Sequence, residues 1–84
     1  MRLGFVPRYF FHLHNDLDVP DHEGKELPDL EAAREWAACQ ARMTIAELVR
    51  DEGRFALSHR IDIEDEQSAV LATVWFRDVV QVES

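Results

Sequence analysis

The chain has 84 residues, 46% of them hydrophobic, and its 17 Asp and Glu against nine Lys and Arg leave a formal net charge of −8. That length holds one domain, which buries only about 60 to 65% of the surface its unfolded chain exposes, so the core is thin and a second copy is the expected support. The apolar content excludes a disordered chain, and the singly scattered cations exclude nucleic acid and acidic membranes as partners, since both draw on clustered Lys and Arg.

Arg8 to Asn15 alternates with period two, placing Tyr9, Phe11 and Leu13 on one face and Phe10, His12 and His14 on the other, which predicts a strand. Asp16 to Pro28 carries Asp, Pro and Gly punctuation without periodicity and reads as a long loop. Within it, Pro20 to Gly24 reads as a turn that folds Leu17–Val19 back on Lys25–Leu27 as a small hairpin. Pro28-Asp29 then opens a helix, with Asp29 as cap and Glu31 at the positive end, running to about Asp51 with Gly53 as its stop. Leu30, Ala33, Ala37, Ala41, Ile45 and Leu48 form one apolar stripe suited to a sheet, while Ala32, Trp36, Cys39, Met43 and Ala46 form a second on the far side.

Ser58 to Glu64 alternates again, His59, Ile61 and Ile63 against Arg60, Asp62 and Glu64, and is the second strand. A polar connection, Asp65 to Ser68, leads into Val70–Phe76, the most continuously apolar segment, which reads as a central strand. The expected fold is a single α+β domain over residues 1–84 with order β-α-β-β. It is a three-stranded antiparallel sheet, the last strand in the middle, with one long helix packed on one face. The alternative places the second strand centrally and parallel to the first through a right-handed crossover. Phe10, Leu71 and Trp75 cannot all lie under one helix, so large apolar surface is expected to be exposed or covered by another chain.

Three segments carry a resemblance: Arg8-Tyr9-Phe10-Phe11, the clause Asp21-His22-Glu23-Gly24-Lys25-Glu26-Leu27-Pro28-Asp29, and Phe76-Arg77-Asp78. They resemble a family of short bacterial proteins known only as a domain of unknown function, over nearly the whole chain from Pro7 onward. The resemblance implies no activity, cofactor or catalytic residue. Family members begin Met-Pro-Arg-Tyr-Phe-Phe, whereas here Met1 to Val6 stand ahead of Pro7. Val6 is therefore the expected true initiator, read from a GUG codon, with residues 1–5 the overhang of a mis-set start; otherwise residues 1–6 are expected to be a disordered N-terminal extension. The intact mass of the native protein tests this, and a native chain that retains Met1 to Phe5 rejects it.

No apolar run is long enough for a membrane span, and Met1 to Val6 lacks the core of a secretory signal. With the lone Cys39, these features lead to the expectation of a soluble, cytoplasmic protein.

Eight acids against two cations fill Asp16 to Glu35. Asp16, Asp18, Asp21 and Glu23 are candidate hard-oxygen ligands for a divalent cation, although the spacing is not that of a helix-loop-helix calcium site, and a solvated turn with capping acids is the simpler reading. His12 and His14 share a strand face, and His59 would complete a zinc site if register allowed. Cys39 lies among Ala and Met with no activating cation beside it, so it reads as packing. Ser58 and His59 point to opposite faces and form no triad. No nucleophile, base and orienting group are assembled by spacing, so no catalytic residue and no cofactor are expected. The expected role is a non-enzymatic interaction module acting as a homodimer, with Trp36, Cys39, Met43, Phe10 and Trp75 as interface candidates. The alternative is a ligand or metal binder using the acidic loop 16–26.

Overall fold

In the computed structural model, which describes residues 6–83, the chain runs β1 (Arg8–His14), β2 (Asp18–Val19), β3 (Lys25–Glu26), α1 (Leu30–Glu52), β4 (Arg60–Glu64) and β5 (Val70–Trp75), closing in a 3₁₀ turn (Phe76–Asp78). The expectation about residues 1 to 5 lies outside the described residues. No helix among those described is long and apolar enough to cross a membrane.

The helix forms where its boundary residues place it. The Asp29 side chain accepts the Ala32 N–H at 2.8 Å, which satisfies one of the free donors of the first turn. At the other end Gly53 takes φ 75°, a left-handed conformation that costs glycine little, and its N–H reaches the Leu48 and Val49 carbonyls at 3.1 and 2.9 Å. Ala33, Ala37, Ala41 and Ile45 are buried along one stripe, and Tyr9, Ile61, Ile63, Ala72 and Phe76 complete the core from the sheet side. Leu30 and Leu48 extend the stripe at its two ends, half-buried against the same cluster. Three alanines on this stripe allow close approach of helix to sheet, and α1 rests chiefly on β4 and β5.

The class is the expected one, α+β with an antiparallel sheet and, among the described residues, one helix, but the sheet has five strands there rather than three. The order is β2-β1-β4-β5, with β3 also paired to β1, so β4 is central and β5 is an edge. Both neighbours of β4 run antiparallel to it. Continuous apolarity in Val70–Phe76 therefore does not mark a central strand here. Alternation in Arg60–Glu64 does: Ile61 and Ile63 are buried under the helix while Asp62 and Glu64 turn to the open face.

The two extra strands replace the expected hairpin. Leu17–Val19 and Lys25–Leu27 do not pair with each other; instead Leu13 and His14 pair with Val19 and Asp18, and Arg8 and Tyr9 with Glu26 and Lys25. The loop thus follows the outer edge of β1. Gly24 permits this course: its φ is 71°, and a Cβ there would lie 2.8 Å from the Tyr9 carbonyl oxygen and 2.9 Å from the Phe10 ring.

Ala37 is fully buried in the stripe. Ala37→Leu should cost about 1 to 3 kcal/mol by overpacking, read as a lower urea midpoint with unchanged slope. A variant as stable as the wild type would show that the stripe does not set the helix–sheet distance.

Candidate functional site

The face of the sheet turned away from α1 is built in cross-strand rows. Asp18, His14, Arg60 and Trp75 form the first, His12, Asp62 and Thr73 the second, and Phe10, Glu64 and Val70 the third. Asp62 is the hub. Its carboxylate accepts the Thr73 hydroxyl at 2.9 Å and Arg60 Nε at 3.3 Å, and lies 3.2 Å from His14 Nε2, with its side chain only 13% exposed. His14 Nδ1 faces Asp18 at 2.9 Å, and His12 Nε2 faces Glu64 at 3.4 Å. Trp75 closes the first row between two guanidinium groups, Arg60 at 5.6 Å and Arg77 at 5.0 Å from its ring centre.

The acidic loop is organised by Asp21. Its Oδ2 accepts the Phe11 N–H at 3.1 Å, in the stretch of β1 left unpaired between β2 and β3, and its Oδ1 accepts the Glu23 and Gly24 N–H groups at 3.0 Å each. Its own N–H donates to His12 Nδ1 at 3.0 Å, which fixes the neutral ring as the tautomer carrying hydrogen on Nε2, toward Glu64. Partial burial pushes the Asp21 carboxyl upward, but the N–H groups of Gly24, Phe11 and Glu23 outweigh it and hold it below its ordinary value of 3.8.

The sequence-predicted residues are not gathered at one place. Asp18 is held by His14, Asp16 faces His59 Nε2 at 3.6 Å, Asp21 is engaged by backbone, and Glu23 is exposed while its carbonyl accepts Arg8 Nη1. Among the described residues no group of three or more His, Cys, Asp or Glu stands close enough to hold a metal ion. His59 lies on the helix side, edge-on to Phe76 at 5.5 Å, away from His12 and His14, and its Nδ1 is buried with no partner among the described residues. Cys39 and Met43 are exposed on the outer side of α1, Trp36 is half-buried there under the Lys25 ammonium at 4.5 Å, and Phe10 and Trp75 are half-buried on the opposite side of the molecule.

Two features escape sequence reasoning. One is the Asp62 hub, signalled only by an acid on the alternate face of a strand opposite a two-histidine strand. The other is a cleft of about 400 Å³ between α1 and β1, floored by Phe11, Leu13 and Ile61 and walled by Trp36, Gln40 and Lys25. It follows from the helix lying over β4 and β5, a tertiary choice that no local pattern encodes.

The fold and this surface define a small α+β domain with one helix over an open antiparallel sheet. The chain belongs to the family described as Domain of unknown function (DUF6894), whose match spans residues 8–77. A comparison with the curated proteins and one with the solved structures each found no match.

Because the folded-state carboxyl of Asp21 titrates lower than the unfolded one, the stability it adds is complete above about 3.8 and is lost as pH falls through the folded value. Urea unfolding of Asp21→Asn from pH ~6 down to pH ~2 should show a flatter acid limb than wild type. Asp21→Ala, which strands three N–H groups, should cost about 1 to 2 kcal/mol at neutral pH. Identical acid limbs for wild type and Asp21→Asn would remove this role.

Proposed function

We propose that this chain is a non-enzymatic protein-interaction module that works as a homodimer. The supporting observation is the apolar surface gathered at one sheet edge. Val70 is 55% and Leu71 40% exposed on β5, beside the half-buried Trp75, and among the described residues β5 is paired on one side only. An open strand edge flanked by apolar side chains is a template for pairing with another chain, and a protein that stays dispersed covers or blunts it. Of the interface candidates, Phe10 and Trp75 share the open face reached through this edge, whereas Trp36, Cys39 and Met43 lie across the molecule on α1. One two-fold interface does not use both sets, and the edge favours the first. A reducing, cytoplasmic setting belongs to the same reading, since Cys39 is an exposed free thiol.

The second reading, a ligand or divalent-cation site in loop 16–26, draws less support, because Asp18 and Asp21 already serve partners within the chain. Light scattering after size-exclusion chromatography should give twice the chain mass at high micromolar concentration and a falling mass on dilution. A monomer at the highest concentration would overturn the homodimer.

A further inference from the structure

We infer that the two copies join edge to edge, antiparallel through β5, so that their sheets run on as one with the two-fold axis at Thr73; this rests on the homodimer reading above. Four observations lead there, beginning with the backbone. The Phe76 N–H donates to the His59 carbonyl at 2.9 Å. Hydrogen-bonding direction alternates along an antiparallel ladder, so the N–H and C=O groups of Thr73 and Trp75 point away from β4, toward a side where no strand pairs among the described residues. Those groups are self-complementary: a second β5 running the other way offers an acceptor for each donor.

The opposite edge of the sheet offers no such template. There β2 and β3 are two residues each, and the Asp21 carboxylate already occupies the β1 edge between them. Against this, β5 is six residues of Val-Leu-Ala-Thr-Val-Trp, with neither charge nor proline to blunt it.

Charge selects the antiparallel self-pairing. One end of β5 carries the Arg60–Trp75–Arg77 stack, and the other adjoins Glu64, Asp65 and Glu66 in the turn that enters it. An antiparallel copy lays each basic end against its partner's acidic turn, which locally offsets the repulsion between two chains of net charge −8.

Of the registers that keep the outward Thr73 and Trp75 groups inside the seam, pairing Thr73 with Thr73 of its partner overlaps the most of β5; it sets Leu71 opposite Trp75 of the partner, and removes apolar surface of Leu71 and Val70 from water. A two-fold axis normal to the sheet then puts both helices on one face and both His12–His14 faces on the other. In this assembly β5 lies inside one joined sheet, with a strand on each side.

Sedimentation equilibrium of the full chain and its variants tests the inference, with far-UV circular dichroism as the folding check. Thr73→Pro removes the outward N–H at a position where an edge strand tolerates proline, and should weaken the dimer by about thirtyfold or more through two lost hydrogen bonds. Arg77→Glu should weaken it as well, and adding Glu66→Arg should recover most of the loss. Met43→Glu, on the outer side of α1, should leave the affinity unchanged. In a Cys39→Ser background, Thr73→Cys should form a disulfide-linked dimer under mild oxidation, because paired residues on such an axis stand within disulfide reach. Should Thr73→Pro fail to fold, the cysteine variant decides, and absence of the link overturns the β5 interface. A dimer that survives Thr73→Pro but is split by Met43→Glu overturns this geometry and leaves the homodimer standing. A wild type that stays monomeric overturns both.

Discussion

The alanine stripe of α1 against Ile61, Ile63 and Ala72 decides the rest of this molecule's surface. Three small residues let the helix settle deeply over β4 and β5. A helix about 10 Å across spans roughly two strands at their spacing of about 4.8 Å, so a sheet wider than that keeps an uncovered margin on the helix side as well. Here the margin is β1. Phe11 and Leu13 are half-buried rather than buried, and Trp36, with the Lys25 ammonium above its ring, leans over them to form the cleft. Larger residues at Ala33, Ala37 and Ala41 would lift the helix, widen that margin and uncover Ile63.

The far side of the sheet meets water by a different device. Surplus apolar surface there would demand a cover, yet the central rows are His, Asp and Thr, each paired across strands. Asp62 is mostly sequestered and remains affordable because a hydroxyl and a guanidinium donate to it and a histidine stands beside it. The oily excess read from the composition is real but unevenly placed. Part of it lies along β5, in Val70, Leu71 and the half-buried Trp75, and part elsewhere, at Leu17, Met43, Leu57 and Val82, while Phe10 is tucked against the loop at Gly24.

How much of this was legible depended on how local the cause was. Asp29, Gly53 and the apolar stripe delimit α1 to within a residue of its observed ends, because caps and periodicity are written in adjacent residues. The alternation that sorts Tyr9, Phe11 and Leu13 from Phe10, His12 and His14 likewise carries over to the folded sheet. Strand order did not, since an apolar run describes burial that a strand would accept and not the neighbour it finds. Strands β2 and β3 fall in the two arms expected of a hairpin, Leu17–Val19 and Lys25–Leu27, but their pairing with β1 is not legible, because two-residue strands have no period. Their existence depends on Asp21 reaching the Phe11 N–H from ten positions away. What the candidate acids touch, Asp18 at His14, Asp16 near His59 and Asp21 on β1, appears only once β1 and the loop are side by side.

Much of the clause Asp21–Asp29, one of the three segments that carry the family resemblance, serves architecture. Asp21 substitutes a side chain for the strand that would otherwise continue between β2 and β3. Gly24 allows the backbone to pass against Tyr9 where a Cβ would collide. Glu26 faces Arg8 at 3.4 Å, the Leu27 N–H donates to the Pro7 carbonyl at 3.1 Å while its side chain joins the core, and Asp29 caps the helix. With those residues occupied in holding a loop to an edge, the clause protects that edge from pairing with anything else. The two sides of the sheet are thus opposites in construction, one sealed by its own loop and the other ending, among the described residues, on a strand paired on one side only.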